Sequence, residues 1–317
     1  MGPHGLNNKK PTIKHKPAPK PNPRPAPKSA TKPKPAPKPA PAPALDRFAL
    51  YELCVQQPAA SARFLRALHP GKPTILAEDF CGAAAISREW VALAPRLLAI
   101  ATDLDPEPLS HASSHPRLRL VCRDVLKVRD PADIVAGFNF ALGELPTRAA
   151  LVAYLKNTRR RLRPKGFAAF DLYGGPTAWM MGATSRFIDG PGGEEIEYIW
   201  DQQGVMPWCS RVHNAIHFRV TPASAKGTKG PNGSKGSSSR PASSSKPRVL
   251  KNAFNYHWRL WTVAEVREAM AEAGFRSTEV HAAVGSAIDN LGELHAAPSD
   301  DHENHPDDFV AYIVARV

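Results

Sequence analysis

The chain has 317 residues, 33 of them proline, and a formal charge of +13, yet neither the prolines nor the charge is evenly spread. Residues 1–45 carry fourteen prolines and ten Lys or Arg with no acid, and residues 221–248 add six basic residues, again with no acid. The remaining stretch of about 244 residues holds 26 basic against 29 acidic side chains, which argues against a folded part built as a basic nucleic-acid grip and leaves enough chain for one sizeable α/β domain.

Proline at alternate positions, as in "KPAPKPNPRPAPK", forbids regular helix and predicts a stiff, extended arm over residues 1–45. The Ser/Gly/Lys insert at 221–248 is too poor in apolar residues to order itself and is expected to be a disordered surface loop. Both read as solvated tethers, with weak, nonspecific contact to RNA or an acidic surface as the second use. No apolar run reaches membrane-spanning length, no secretory apolar core opens the chain, and Leu6 stands where a myristoylation signal wants Ser or Thr. Cys54, Cys81, Cys122 and Cys209 show neither CxxC nor metal spacing, so the expectation is reduced thiols in a cytoplasmic protein without a bound metal.

From residue 46 onward the pattern is that of a folded domain reaching to residue 317. Phe48, Leu53, Phe64, Leu65 and Leu68 keep helical rhythm, interrupted at Pro58. "TILAE" predicts a short buried strand, and Ile86, Trp90 and Leu93 one face of a helix. "RLLAIATDLD" predicts the second strand, "PEPLSHA" a helix opening, "RLRLVCRDV" the third strand and "DIVAGFNF" the fourth. Thr147 caps a helix with Leu151, Leu155, Thr158 and Leu162 on one face, and "RPKG" is expected to stop it before the strand "FAAFDLYGG". This βα alternation favours a parallel sheet with helices on both faces. After Gly175, "EEIEYIWD", "WCSRVHNAIHFRV" and "VLKNAFNYHWRLW" alternate and predict antiparallel strands over about 194–260, with the insert at the tip between the last two. Thr262 and Glu265 form a capping box, and "RSTEVHAAV" and "DFVAYIVARV" close the sheet.

Ligands of open α/β sheets sit outside the carboxyl ends of the strands. Those ends are Glu78-Asp79, Asp103-Leu104-Asp105, Arg123-Asp124 and Asn139, mostly acidic, and neither a Walker loop nor G-x-G-x-x-G is present. An acid after strand two can accept both hydroxyls of a ribose, and an Asp after strand three can meet an adenine amine. A cationic ligand bearing an adenosine fits this set, and a pyrophosphate does not.

At these residues the chain resembles class I S-adenosylmethionine-dependent methyltransferases. "LAEDFCGAA" stands where that family has an acid followed by G-x-G-x-G: Glu78 matches the acid and Gly82 the central glycine, while Phe80 and Ala84 replace the other two. "ATDLDPEPL" resembles the ribose-binding motif, with Asp103 in place, and "CRDVL" sets Asp124 and Val125 at the adenine. "LRPKGFAAFDLYGG" and "WRLWTVAEVREAMAEAGF" resemble the later segments. The resemblance implies a Rossmann-like fold, a mostly parallel seven-stranded sheet with an inserted antiparallel lid, and S-adenosylmethionine as cofactor. It implies contacts from Glu78, Cys81, Gly82, Asp103, Leu104, Asp124, Val125 and Asn139. The missing glycines predict a loop less free to take left-handed torsions, with Phe80 turned away from the cofactor.

Each of these groups also has a structural use. Glu78 and Asp79 could cap the next helix, Asp103 could serve the turn before Pro106, and Cys81 reads better as a packed small residue than as a nucleophile. Candidates on the acceptor side are Asn139, Tyr173, His217 and Arg259, beside the aromatics Tyr198, Trp200, Trp208, Tyr256, Trp258 and Trp261. The lid predicts a small-molecule acceptor. Two other readings remain open from sequence alone: an RNA methyltransferase gripping through the basic segments, and a non-catalytic interaction protein on a degenerate domain.

Overall fold

Two short helices precede the first strand in the computed structural model, which describes residues 45–223, 246–284, 287–288, 294–295, 298–299 and 306–317. Asp46 caps α1 (Arg47–Val55), its carboxylate accepting from the Phe48 and Ala49 N–H groups. Pro58 has no N–H to lose in a first turn, so the proline that interrupts the rhythm opens α2 (Pro58–Leu68).

The βα alternation then runs as the sequence predicts: β1 (Ile75–Asp79), α3 (Ala85–Leu93), β2 (Leu98–Asp103), α4 (Pro106–His111), β3 (Leu118–Cys122), β4 (Ala132–Gly137), α5 (Arg148–Arg161) and β5 (Leu162–Gly174). Ile86 and Trp90, one turn apart, bury the inner face of α3, and the Trp90 indole N–H donates to the Leu98 carbonyl at 3.0 Å. Thr147 caps α5 through the Ala150 N–H. That helix ends at Arg161, earlier than expected, and "RPKG" already belongs to β5, with Lys165 at φ +67°. The chain closes with α6 (Val263–Glu272), β10 (Ser277–His281), a two-residue ladder of β11 (Ala287–Ile288) with β12 (Leu294–His295), and β13 (Phe309–Arg316). The capping box of Thr262 and Glu265 starts α6, and Gly274 at φ +90° stops it.

Seven strands form one sheet in the order β10-β13-β5-β4-β1-β2-β3; β1 to β5 are parallel, and β13 is antiparallel to both its neighbours. The order reverses between β1 and β4, and a crevice opens at the carboxyl ends of strands on either side of such a switch. One ion pair locks this centre. Asp79, fully buried at the end of β1, accepts from Arg161 Nη1 at 2.7 Å and from the Tyr154 hydroxyl at 3.0 Å, both on α5.

A second, four-stranded antiparallel sheet has the order β6-β7-β8-β9: β6 (Gly182–Asp189), β7 (Glu195–Met206), β8 (Arg211–Thr221) and β9 (Arg248–Arg259). The last three match the predicted lid strands, except that Pro207–Cys209 forms a turn where "WCS" reads as strand. The first was not predicted. Almost every β6 side chain is exposed, so no buried face imprints a period of two on its sequence. The two faces of this sheet differ. Tyr198, Trp200 and Gln202 share one with Asn214, Ile216 and Phe218 and with Phe254, Tyr256 and Trp258, as the cross-strand register requires.

Helix α1 bridges the two sheets. Leu50 and Cys54 pack against Ile196, Ile216 and Phe218 of the lid. On the other side Arg47 pairs with Glu107 and Glu52 with Arg88, while Asp46 Oδ2 meets His111 Nδ1 at 2.8 Å. α1 therefore spans from α3 and α4 to the inner face of the lid.

Val220 pairs directly with Arg248, so the two ends of the basic insert lie one strand spacing apart and a short turn can join them. Residues 1–44 and 224–245 lie outside the described residues, and so do the sequence expectations made for them. Removing 1–44 and replacing 224–245 by a four-residue turn should change Tm by no more than about 3 °C. A fall of 10 °C would mean that the domain begins before residue 46 or that the insert packs into it. Among the described residues, no helix is long and apolar enough to cross a membrane.

Candidate functional site

The loop from β1 to α3 keeps a glycine-like path without the glycines. Phe80 and Ala84 both take φ +56°, and Gly82 takes φ +54°. The expectation of a less left-handed loop is therefore wrong. Burial over-determines these torsions, which cost on the order of 1 kcal/mol each in a non-glycine residue. Ala84 is fully buried, and the Phe80 ring meets Tyr154 edge-on at 5.5 Å in the core beside α5. Phe80 thus points into the core beside α5.

Glu78 is 3% exposed and accepts from the Ser87 N–H at 2.8 Å, capping a helix whose own N-cap, Ala84, has no side chain for the task. Burial pushes its carboxyl up to about 7 against the opposing pull of that bond. Cys81 is buried among Ala84, Ala101 and Leu109, and burial lifts its thiol well above the ordinary range, so it is a packed residue without thiolate character.

Asp103 closes the loop. Its Oδ2 accepts from the Gly82 N–H at 2.7 Å and its Oδ1 from the Asp105 N–H at 3.0 Å. A carboxylate has about four acceptor positions, so two lone pairs remain for a ligand. Beside it Leu104 is 71% exposed, a large apolar side chain standing free at a strand end. Asp124 uses Oδ1 to cap the turn after β3 through the Leu126 N–H at 2.9 Å, and Val125 is buried behind it. Asp103, Leu104 and Asp124 thus stand at the ends of two adjacent, hydrogen-bonded strands.

Asn139 sits at the end of β4 in the left-handed region at φ +62°, followed by Phe140 at +64°. Both N–H groups donate to the buried Asp171 carboxylate of β5, at 2.9 and 2.7 Å. Burial pushes Asp171 up to about 7 against these two bonds. Sequence reasoning missed Asp171, although an acid inside the apolar run "FAAFDLYGG" must find donors.

The acceptor-side candidates separate. Tyr173 faces the lid: its hydroxyl accepts from Asn214 Nδ2 at 3.1 Å, and its ring meets Phe140 at 4.6 Å, Trp200 at 6.2 Å and Trp258 at 6.4 Å. His217 lies on the opposite face of β8, with Nε2 3.3 Å from Asp201 Oδ2 and Nδ1 accepting from the Asn252 N–H. Arg259 pairs with Glu265 at 3.1 Å and lies over the Trp261 ring. The geometry joins Asn139 and Tyr173 through Asp171 and Phe140, and it leaves His217 and Arg259 in cross-strand and capping contacts. Trp208 is 85% exposed at the β7–β8 turn, and Trp261 is buried with its N–H on the Leu142 carbonyl, so neither stands on the inner face of the lid. A separate groove of about 560 Å³ runs along α6, β10 and β13, at the opposite edge of the sheet from Asp103 and Leu104.

No protein-family model matches the chain, and no curated protein matches it in sequence. Solved structures do match in fold. DesVI of Streptomyces venezuelae superposes with a TM-score of 0.58 at 16% identity, over 84% of this chain and 94% of its own. CalS10, an amino pentose methyltransferase from Micromonospora echinaspora solved with S-adenosylmethionine bound, gives 0.57 at 17% identity, over 85% and 95%. The sugar N-methyltransferase KedS8 from Streptoalloteichus gives 0.55 at 15% identity, over 84% and 91%. The fold is that of S-adenosylmethionine-dependent methyltransferases, with a mostly parallel seven-stranded sheet and a separate antiparallel sheet.

Proposed function

We propose that the chain binds S-adenosylmethionine at the carboxyl ends of β1 to β3 and transfers its methyl group to a small-molecule acceptor under the lid. The observation that carries this reading is the pair at the end of β2: a carboxylate with two lone pairs free, next to an exposed leucine. Such a pair suits the two hydroxyls of a ribose and the apolar face of a purine. The loop from Phe80 to Ala84 has no Lys or Arg and so offers no side-chain charge for a pyrophosphate.

In this reading Asp103 holds the ribose, Leu104 and Val125 flank the adenine, and Asp124 accepts from its amine with the oxygen not spent on Leu126. Gly82 lets the loop backbone approach the ligand, and Glu78, Cys81 and Asp171 fix the loops around it. Asn139 follows the switch-point strand, where the methionine end of the ligand would lie. When bound, S-adenosylmethionine supplies a methyl group on a sulfonium, whose departure leaves a neutral thioether. The chain then has to align the acceptor and exclude water. α1, Tyr173 and the inner aromatics of the lid do this by closing over the carboxyl ends. The names of CalS10 and KedS8, which share the fold of this chain, support a small-molecule acceptor of the sugar kind.

Asp103→Ala should weaken S-adenosylmethionine binding about 10- to 100-fold in calorimetry, the loss expected for charge-assisted hydrogen bonds. The folded fraction should stay unchanged at saturating ligand. An unaltered affinity would remove Asp103 from the site.

A further inference from the structure

Between α1, the lid and the ends of β4 and β5 lies a set of rings that are deep in the protein but not sealed. Tyr51, Phe140, Tyr173, Trp200, Phe254 and Tyr256 are all half-buried. Burial raises the Tyr51 and Tyr256 hydroxyls above the ordinary phenol range. A ring crowded by neighbours that still keeps accessible surface lines a cleft. Next to Tyr173 this face of β7, β8 and β9 presents Trp200, Gln202, Asn214, Ile216, Tyr256 and Trp258, none of them charged; Arg248 lies on it only at the far end, opposite Val220, and Glu144 approaches it at the Trp258 N–H.

One group in this wall is out of balance. Asn214 is fully buried, spends Nδ2 on Tyr173, and leaves Oδ1 with no hydrogen-bond partner. A buried amide oxygen without a donor costs about 1–3 kcal/mol, so an uncompensated one asks for an explanation. Tyr173, accepting from Asn214, keeps its own proton free to donate. Together the two present one acceptor and one donor, and rotating the Asn214 amide exchanges their roles but preserves that complement. A hydroxyl group is the match, since it both donates and accepts.

We infer that Asn214 and Tyr173 are the specificity pair of the acceptor cleft, binding a hydroxyl on an uncharged ring whose C–H faces lie against Trp200, Tyr256 and Phe140. This rests on the lid being the acceptor side of a methyltransferase. The uncharged side chains next to Asn214 on this face, Trp200, Gln202, Ile216 and Tyr256, disfavour a phosphate or carboxylate as the anchored group. The aromatic faces suit the apolar side of a hydroxylated ring of the sugar type.

The test is quenching of tryptophan fluorescence, since Trp200 and Trp258 both border the cleft. Methyl β-D-glucopyranoside serves as the neutral hydroxylated probe and cyclohexylammonium as the cationic ring without hydroxyls. The full-length protein with S-adenosylmethionine present should bind the glucoside in the millimolar range. Asn214→Ala should weaken it at least 10-fold and Tyr173→Phe about 3- to 10-fold, while S-adenosylmethionine affinity stays within 2-fold in both. Asn214→Leu, which removes the orphan oxygen at similar volume, should keep or raise Tm by about 2–4 °C while losing the glucoside. The inference fails if the wild type does not respond to the glucoside. It fails equally if Asn214→Ala binds it as well as the wild type, or if cyclohexylammonium binds more tightly and is indifferent to both substitutions. In each of these outcomes, retained S-adenosylmethionine binding leaves the methyltransferase reading standing, and its loss in the wild type overturns both.

Discussion

Arg161→Met should lower Tm by roughly 10 °C, from a loss of about 3–5 kcal/mol. Arg161 and Asp79 are 1% and 0% exposed in their side chains and meet at 2.7 Å between α5 and the end of β1. Burial alone drives the Asp79 pKa up, and the Arg161 guanidinium is the largest force opposing it. Without that cation the carboxylate must either stay charged in a dry interior or take up a proton. The loss should therefore be greater at pH 8 than at pH 5, which ordinary cavity formation does not produce. The pair is also imperfect: Asp79 Oδ1 and Arg161 Nη2 have no partner. Replacing both residues, Asp79→Leu with Arg161→Met, should consequently recover most of the stability. A single substitution that shifts Tm by less than 2 °C would show that the pair contributes nothing to the join of α5 and β1.

Stability should also fall as pH rises from about 5 to 8. Glu78 and Asp171 are both pushed up to about 7, from ordinary values near 4, by burial. Because both folded-state values are raised, the native protein binds the extra protons. The contribution is complete below the unfolded values and is lost as pH climbs through 7. By linkage this is on the order of 3 kcal/mol for each carboxylate. One group works the other way. Burial lowers the His69 pKa, so its contribution grows as pH rises toward the ordinary histidine value. The carboxylates with lowered values, Asp46, Asp133, Asp201, Glu265 and Glu279, have given their full contribution by pH 5. With Asp79, whose pKa burial also raises, three raised carboxylates stand against one lowered histidine and leave the optimum near pH 5, with Tm at pH 8 lower by roughly 5 °C or more. Glu78→Gln and Asp171→Asn should each flatten this slope. A Tm that climbs steadily from pH 5 to 8 would contradict the burial of both carboxylates.

The central sheet was legible in the sequence because its strands are short, apolar and separated by capped helices. "TILAE", "FAAFDLYGG" and the T-x-x-E box at Thr262 each carry a local signal that matches the final structure. β6 was not legible, because an exposed edge strand leaves no periodic trace of burial. The acids at the strand ends were readable as a set, but their individual uses were not. Nothing local distinguishes Glu78, which caps α3 through Ser87, from Asp103, which closes the loop through Gly82 and Asp105 and keeps two lone pairs free. The left-handed torsions of Phe80 and Ala84 were misjudged for a related reason. Glycine frequency reports the cost of a torsion, and tertiary packing decides whether that cost is met. His217 stood out in the sequence and Asn214, three positions away in the same strand, did not. Only the register with β7 and β9, and the placement of Tyr173, separates the face that meets the cleft from the face that does not.

The most direct measurement is a calorimetric titration of the full-length protein with S-adenosylmethionine and, separately, with NAD. Free lone pairs on Asp103, an exposed Leu104 and a loop without basic residues predict saturable S-adenosylmethionine binding in the micromolar range and none for NAD at the same concentrations. No heat with S-adenosylmethionine at millimolar concentration, or equal affinity for NAD, would contradict the account.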